Sequence, residues 1–358
     1  MNHPASGNSL TVGRDASVFV SEVLPQGDAV VFAMDAASYA ASPFLDRRIV
    51  RPNPAITATL PWQQLLNFGT LCTQQPTRWI FHISHVGSTL LSRALGTHPA
   101  VLSVREPVLL RWLAHQRAAL HLPESRVDQT TWERSLAAAV GLVGRPLGER
   151  THVVVKATSY CNVMAREIMQ LQPASRAVGV YCDLDNFLAG ILKGRGGFVD
   201  IIEMAPVRLR RLHRLLGEES WRLAAMSPAE QAAMTWTCEL LSLWDAQRWN
   251  PDRFTWLNFD SWAKQEAETM HCLASALAVD WDEGHFDALQ KSGILHRYSK
   301  NAQREYGPAD RLAEIAEVKV REAHALKQGL DWFDQCCQRH PVVARAIASI
   351  TARGKPGS

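Results

Sequence analysis

The chain has 358 residues, 47% hydrophobic and 20% charged, as in an ordinary globular protein with a sizeable core. Lysine and arginine exceed aspartate and glutamate by 38 − 35 = 3, and the basic residues are scattered. This mild balance argues against a nucleic-acid partner and suits a small anionic ligand. The seven cysteines include no CxxC pair and are odd in number. They therefore favour neither a zinc site nor a disulfide framework, and they predict a reducing compartment.

The first 75 residues are predicted to form an extension rather than the main domain. Residues 1–20 are polar and lack the apolar core of a signal peptide, and no run approaches the ~20 apolar residues of a membrane span. We therefore expect a cytoplasmic protein without a membrane span. Short apolar pieces separated by turns predict that residues 1–75 pack on a main domain at 76–350, with a disordered tail at 351–358.

Strands and helices alternate from Trp79 onward. Strands are predicted at 79–83, 100–104, 152–155 and 177–181, with helical patterns between them. This rhythm predicts an α/β fold with a doubly wound, mostly parallel sheet, followed by a helix-rich second half. Ligands of such sheets bind at the carboxyl ends of the strands. One crevice is therefore expected to collect four segments: Ser84–Thr89, Glu106, Lys156 and Cys182–Asp183.

The helix starts and the later segments can also be predicted. Capping-box spacing joins Thr130 to Glu133 and Ser227 to Glu230, and the second helix should reach about Trp249. The remaining segments are predicted to be a strand at 254–259, a basic loop at 293–306 and amphipathic helix over 308–350.

The turn formed by Ser84, His85, Val86, Gly87, Ser88 and Thr89 carries the clearest functional signal. It lies between a strand and a helix start, where free backbone amides and the helix dipole favour an anion. Gly87 permits close approach of a ligand, and Ser88 and Thr89 add hydroxyl donors. A standard P-loop would have lysine directly after the glycine, and Ser88 stands there instead. The sequence predicts a phosphate or sulfate cradle without that lysine.

In the order of its segments the chain resembles the sulfotransferase family. Ser84–Leu91 is similar to the loop that binds the 5′-phosphosulfate of the donor in that family. His98-Pro99 followed by Glu106, and then Lys156-Ala157-Thr158 after a buried strand, are similar to segments of the bacterial and carbohydrate-directed branches. The resemblance spans roughly residues 79–280. It implies a P-loop NTPase-like sulfotransferase topology and transfer of a sulfuryl group from 3′-phosphoadenosine 5′-phosphosulfate to a hydroxyl or amine.

The resemblance also implies roles for individual residues. Glu106 would be the general base, Lys156 would stabilise charge on the bridging oxygen, and His85 takes the place of the loop's basic residue. The acceptor would be a small molecule or a biosynthetic intermediate, and no metal is implied. The residues expected to bind the donor are Ser84, His85, Val86, Gly87, Ser88, Thr89, Asp183, Lys193, Arg195, Arg297 and Lys300. Structural alternatives remain open: a loop histidine, a glutamate that ends a strand, and a lysine in an ion pair.

Two positions depart from the family pattern. Cys182 and Gly190 stand where the family has the arginine and serine of the 3′-phosphate site. Lys193 and Arg195, one helical turn further along, could supply the missing charge, and so could Arg297, Lys300 and Arg304 of the late basic loop. The departures leave a second hypothesis, a protein of this fold that has lost donor binding and acts as a binding or accessory protein. An atypical P-loop kinase or NTPase is a third, weaker hypothesis, because the chain lacks the lysine and a clear Mg²⁺-binding aspartate.

Overall fold

The computed structural model describes residues 10–72, 76–260, 265–297 and 305–354. Near the N-terminus, three antiparallel strands form a small sheet in the order β1 (Val18–Val23), β2 (Asp28–Ala33) and β3 (Thr57–Pro61). Sequence analysis noted only short apolar pieces in this region, and the one at residues 29–34 corresponds to β2. The outer strand β3 alternates exposed and half-buried residues and runs directly into the helix that starts at Trp62, so its pattern in the sequence is weak.

The second sheet has five parallel strands, which confirms the predicted α/β class. Its strands are β4 (Arg78–His82), β5 (Val101–Arg105), β6 (His152–Lys156), β7 (Arg176–Tyr181) and β8 (Phe254–Asn258). Their spatial order is β5-β6-β4-β7-β8, and every neighbouring pair is parallel. The strands are almost wholly buried, which explains their continuous apolar runs. Since β4 is central, the loop that follows it lies in the middle of the carboxyl edge.

Helices cover both faces of this sheet and dominate the second half. The helices are α1 (Ala36–Ala41), α2 (Trp62–Leu71), α3 (Ser88–Leu95), α4 (Val108–Ala119), α5 (Gln129–Val143), α6 (Ala165–Leu171), α7 (Leu184–Leu192), α8 (Arg195–Leu216), α9 (Pro228–Trp249), α10 (Glu266–Ala276), α11 (Glu283–Lys291), α12 (Pro308–Arg321), α13 (Ala323–Arg339) and α14 (Pro341–Arg353). The last helix thus continues beyond residue 350, where the tail was expected to begin. None of the helices in the described ranges combines the length and apolar character that a membrane crossing requires.

One of the two predicted capping boxes is present. Ser227 and Glu230 exchange side-chain and backbone hydrogen bonds at the start of α9, as predicted. The pairing of Thr130 with Glu133 is wrong, because α5 begins earlier and has Asp128 as its N-cap. The carboxylate of Asp128 accepts a first-turn amide, which makes the later threonine an ordinary helical residue.

The N-terminal sheet packs directly on the main sheet domain, and both contribute to one hydrophobic core. The amide of Ala16 donates to the carbonyl of Pro146 at 2.7 Å. The buried guanidinium of Arg145 donates to the carbonyls of Val18 at 2.6 Å and Gly13 at 2.8 Å. These bonds satisfy a buried arginine with backbone oxygens, so they fix the N-terminal segment against the end of α5.

Candidate active site

A cavity of about 350 Å³ lies at the carboxyl ends of the parallel strands. The residues singled out from the sequence that line it are Ser84, His85, Val86, Gly87, Ser88, Thr89, Glu106, Lys156, Gly190, Lys193 and Arg297. Among the described residues of its wall, Cys182 and Asp183 do not occur. The strand order thus brings most of the expected residues together, and the exceptions come from the end of β7.

The loop after β4 is tightly curled. Ser84, His85 and Gly87 have φ angles of 75°, 51° and 71°, in the left-handed region. The amide of Ser84 donates to Nδ1 of the buried His82 at 3.0 Å, which closes the first turn of the loop. Gly87 is the N-cap of α3, so the first-turn amides of that helix have no acceptor within the helix. Such a succession of backbone amides at a helix start is suited to an anion.

Gly87 is required by both conformation and space. A Cβ atom built on it would lie 2.0 Å from a ring carbon of Phe259, which follows β8. The loop is therefore held against an aromatic ring that also lines the cavity. A larger residue would have to displace either the ring or the cradle.

Glu106 and Lys156 form an ion pair at the ends of β5 and β6. The Lys156 ammonium donates to the Glu106 carboxylate, and the Glu106 amide donates to the Lys156 carbonyl at 2.7 Å. The lysine side chain is 1% exposed and the glutamate 21%. Burial lowers the pKa of Lys156, while Glu106 opposes that shift. The two alternatives for Lys156 are therefore not exclusive, since it makes an ion pair and also lines the cavity.

The backbone conformation and neighbouring side chains also fix the position of Glu106. Glu106 itself has a φ of 50°, which is uncommon for a residue other than glycine, and it aims the chain from β5 into α4. Its Oε1 lies 3.9 Å from Nε2 of His82. The carbonyl of His82 in turn accepts from Asn162 at 3.0 Å. A carboxylate with one edge on a lysine and the other toward the cavity is placed to accept a proton from a bound molecule.

Asp200 is a site residue that sequence analysis missed. It lies on the long helix α8 and lines the cavity with His85. Burial would raise the pKa of Asp200, but Arg208 and then His85 lower it, so it carries a negative charge near the loop. Its Oδ2 accepts from the fully buried Arg208 at 3.1 Å. Nothing in the helical pattern distinguishes Asp200 from a surface aspartate.

Cys182 cannot contribute to an anion site in the way an arginine would. Its side chain is fully buried, and burial raises the pKa of the thiol well above its usual value, so it stays neutral. Asp183, expected to bind the donor, is instead the N-cap residue of α7. Its carboxylate accepts from Asn258 at 3.1 Å, and its amide donates to Asp260 at 2.9 Å. These contacts join the end of β7 to the end of β8, and of the three residues only Asp260 lines the cavity.

Cations from the segments after β7 line one end of the cavity. Lys193 lies there and is 3.2 Å from Glu314. Arg297 follows a short 3₁₀ turn in the predicted basic loop. Arg311 of α12, which sequence analysis missed, lies 3.6 Å from Asp260 and 5.1 Å over the ring of Phe259. Lys300, Arg304 and the side chain of Arg195 lie outside the described part of the structure.

The opposite end of the cavity is walled by the N-terminal extension and α4. Phe44 and Arg48, from the segment after α1, line it together with Arg111 of α4. No sequence signal pointed to these residues, since they lie far from the strand ends in the chain. Within the described ranges, no group of three or more His, Cys, Asp or Glu side chains is arranged to hold a metal ion.

Comparison with known proteins places these features in context. No family model matches the chain, and no curated protein matches it. Among solved structures, it is similar to a sulfotransferase domain from the curacin biosynthetic pathway, with 15% identity, 70% of this chain and 98% of that chain covered, and a TM-score of 0.37. A sulfotransferase domain from the Synechococcus PCC 7002 olefin synthase matches with 14% identity, coverage of 70% and 95%, and a TM-score of 0.38. A sulfotransferase from Mycobacterium tuberculosis H37Rv matches with 15% identity, coverage of 74% and 80%, and a TM-score of 0.40. The chain is similar to structures of sulfotransferases, the family that its Ser84–Leu91 loop resembles.

Proposed function

We propose that this protein transfers a sulfuryl group from 3′-phosphoadenosine 5′-phosphosulfate to a hydroxyl or amine. The observation that carries the proposal is one cavity that holds three parts: the amide-rich loop Ser84–Thr89, the Glu106–Lys156 pair, and a set of cations from α7, the 3₁₀ turn and α12. The first part suits a phosphosulfate, the second suits proton removal and charge stabilisation, and the third suits a further phosphate.

In the proposed reaction, the amides before and within the first turn of α3 bind the 5′-phosphosulfate. The acceptor oxygen attacks sulfur while Glu106 takes its proton, and the bond between sulfur and the bridging oxygen breaks. The electron pair remains on that oxygen, where the Lys156 ammonium stabilises the negative charge. The products are the sulfated acceptor, protonated Glu106 and 3′,5′-adenosine bisphosphate.

Lys193, Arg297 and Arg311 support binding of the 3′-phosphate despite the buried Cys182. All three line the cavity, at the end formed by α7, α12 and the 3₁₀ turn. Their presence favours the enzyme hypothesis over the accessory-protein hypothesis, which expects that end to lack basic side chains. Arg297 and Arg311 suit this role better than Lys193, because a guanidinium can bind phosphate through two parallel hydrogen bonds.

A calorimetric titration with 3′,5′-adenosine bisphosphate tests the proposal, with adenosine 5′-monophosphate as the comparison. We expect the bisphosphate to bind more tightly, by about tenfold or more for a phosphate held by charged hydrogen bonds. Transfer of labelled sulfate to a panel of alcohols and amines should then fall by roughly 10²–10⁴-fold in Glu106→Gln, the usual contribution of a general base. Absence of bisphosphate binding would sink the enzyme hypothesis and leave the accessory-protein hypothesis standing.

A further inference from the structure

Different parts of the chain form the two ends of the cavity. The loop Ser84–Thr89 and the cations of α7 and α12 form one end, where the donor is proposed to lie. Phe44 and Arg48 of the N-terminal extension and Arg111 of α4 form the other, beside the Glu106–Lys156 pair. Since the acceptor has to reach Glu106 from the side away from the donor, this second end is the acceptor end.

The segment that carries Phe44 and Arg48 is firmly anchored. The amide of Leu45 donates to the carbonyl of Arg105 at 2.7 Å. The Arg105 guanidinium, itself buried, donates to the carbonyls of Ser42 at 2.6 Å and Ala40 at 3.3 Å. These carbonyls belong to the C-terminal end of α1, where a cation is favourable. These hydrogen bonds therefore hold the wall of the acceptor end in a fixed position.

Arg48 is placed close to the reactive pair. Its guanidinium lies 3.8 Å over the ring of Phe44, and the same ring lies 5.4 Å from the Lys156 ammonium. Nε of Arg48 donates to the Asp46 carboxylate at 2.9 Å, and one terminal nitrogen of Arg48 donates to the same carboxylate. Among the described residues, its other terminal nitrogen has no hydrogen-bond partner. This part of the guanidinium therefore remains able to bind a ligand.

Arg111 adds a second cation at the same end. It lies one turn into α4, the helix that follows Glu106, and it is exposed. Within the described ranges it makes no ion pair or side-chain hydrogen bond. Arg48 and Arg111 both line the cavity with Glu106, whose own charge is already opposed by Lys156. Asp46 opposes the charge of Arg48, and Asp200 lies near Arg111. Both guanidinium groups nonetheless keep nitrogens without a hydrogen-bond partner among the described residues, so both can bind an anion.

We propose that the acceptor is a hydroxyl compound that also bears a carboxylate, which Arg48 and Arg111 bind while the hydroxyl lies at Glu106. The proposal rests on the proposed function for the identity of this end of the cavity. Phe44 supplies an apolar face between the two groups, so an aromatic or short aliphatic spacer fits. A neutral alcohol of the same shape lacks the charged contacts and should bind more weakly.

The test uses a matched pair of probes, 4-hydroxyphenylacetate and 4-hydroxyphenylacetamide, titrated into full-length protein saturated with 3′,5′-adenosine bisphosphate. We expect the acid to bind about tenfold more tightly than the amide, the usual scale for charged hydrogen bonds. This preference should shrink in Arg48→Gln and in Arg111→Gln, and it should weaken as salt is raised. Arg51→Gln is the matched control. Arg51 follows Arg48 on the same segment, but it lies 4.3 Å over Phe32 and does not line the cavity.

Equal binding of the acid and the amide, or binding of neither, overturns this inference, as does a preference that survives in both arginine variants. Bisphosphate binding, measured first in all four proteins, separates the two proposals. Normal bisphosphate binding without an acid preference refutes only the anionic acceptor. Failure of the wild-type protein to bind the bisphosphate refutes the proposed sulfotransferase activity instead.

Discussion

The ammonium of Lys156 donates to the carboxylate of Glu106 from a position that is almost completely closed to solvent. A buried cation of this kind is stable only because its partner is within contact, and removing one partner of a buried pair typically costs about 3–5 kcal/mol. The pair therefore couples the chemistry of the site to the stability of the sheet edge.

The pH dependence of Lys156 gives the first prediction. Burial lowers its pKa, so the proposed transfer rate should fall on the alkaline side at a pH below 10.5, the ordinary lysine value. Stability should respond in the opposite sense. Between the folded and unfolded pKa values the unfolded chain holds more protons, so this group makes unfolding less favourable as pH rises through that window.

Single-turnover rates and urea midpoints measured against pH check this prediction. Lys156→Arg is the control. A guanidinium does not titrate in this range, so in this variant the alkaline fall in rate should occur at higher pH. An alkaline limb unchanged in Lys156→Arg would assign it to another group.

Gly87 provides a second prediction, on the cradle. Gly87→Ala would place a methyl group 2.0 Å from the Phe259 ring and keep alanine at a φ of 71°. The backbone strain alone costs about 1–3 kcal/mol, and bisphosphate binding should weaken as the loop shifts. Gly217→Ala is the matched control, because its φ of 64° imposes the same kind of strain but nothing lies within 4 Å of its added methyl group, and Gly217 does not line the cavity. It should destabilise the protein by about 1–3 kcal/mol and leave bisphosphate binding unchanged. Thermal denaturation and calorimetry distinguish the two, and equal effects would contradict the prediction.

Arg311 should decide whether the 3′-phosphate is recognised. Arg311→Gln is expected to lower the affinity for 3′,5′-adenosine bisphosphate by about 1.5–3 kcal/mol and to leave that for adenosine 5′-monophosphate almost unchanged. Arg321→Gln on the same helix is the control, because Arg321 pairs with Glu317 on the exposed surface. If both ligands lose affinity equally, Arg311 does not contact the 3′-phosphate.

A fourth prediction concerns the buried ion pairs of Glu239 with Arg208 and Arg211. Glu239 is fully buried and accepts from Arg208 at 2.8 Å, while its other oxygen lies 2.7 Å from Arg211. Glu239→Gln leaves two buried arginines without their shared carboxylate and should destabilise the protein by about 3–5 kcal/mol. Asp245→Asn, on the same helix, breaks a half-exposed pair and should cost about 0.2–1 kcal/mol. Urea denaturation measures both, and similar losses would show that the buried cluster contributes little.

The sequence was sufficient to predict the parallel sheet and the part of the site that belongs to it. Strands such as His152–Lys156 are buried on both faces, so their apolar runs stand out and their ends locate Glu106 and Lys156. The strand β1 was missed, although it is mostly buried, because a polar leader and a turn flank it. A local sequence pattern predicts a strand reliably only where the strand is uniformly buried and its flanking residues do not obscure it.

The remaining site residues could not be predicted because tertiary packing brings them to the cavity. Arg311 and Asp200 sit on amphipathic helices whose charged residues look alike in sequence. Phe44 and Arg48 reach the site only because Arg105 ties the segment after α1 to the end of β5. A cation's sequence neighbours do not reveal which strand end it faces.

The attachment of the Phe44–Arg48 segment through Arg105 has a consequence for how such a protein diversifies. The segment lies beside Lys156 but shares no strand with the parallel sheet. Arg105 holds it through backbone carbonyls, which every residue has whatever its side chain. Its sequence can therefore drift while Glu106 and Lys156 stay where they are. On the proposed function, new acceptors would be acquired by exchanging this one segment, without rebuilding the strand ends beside it.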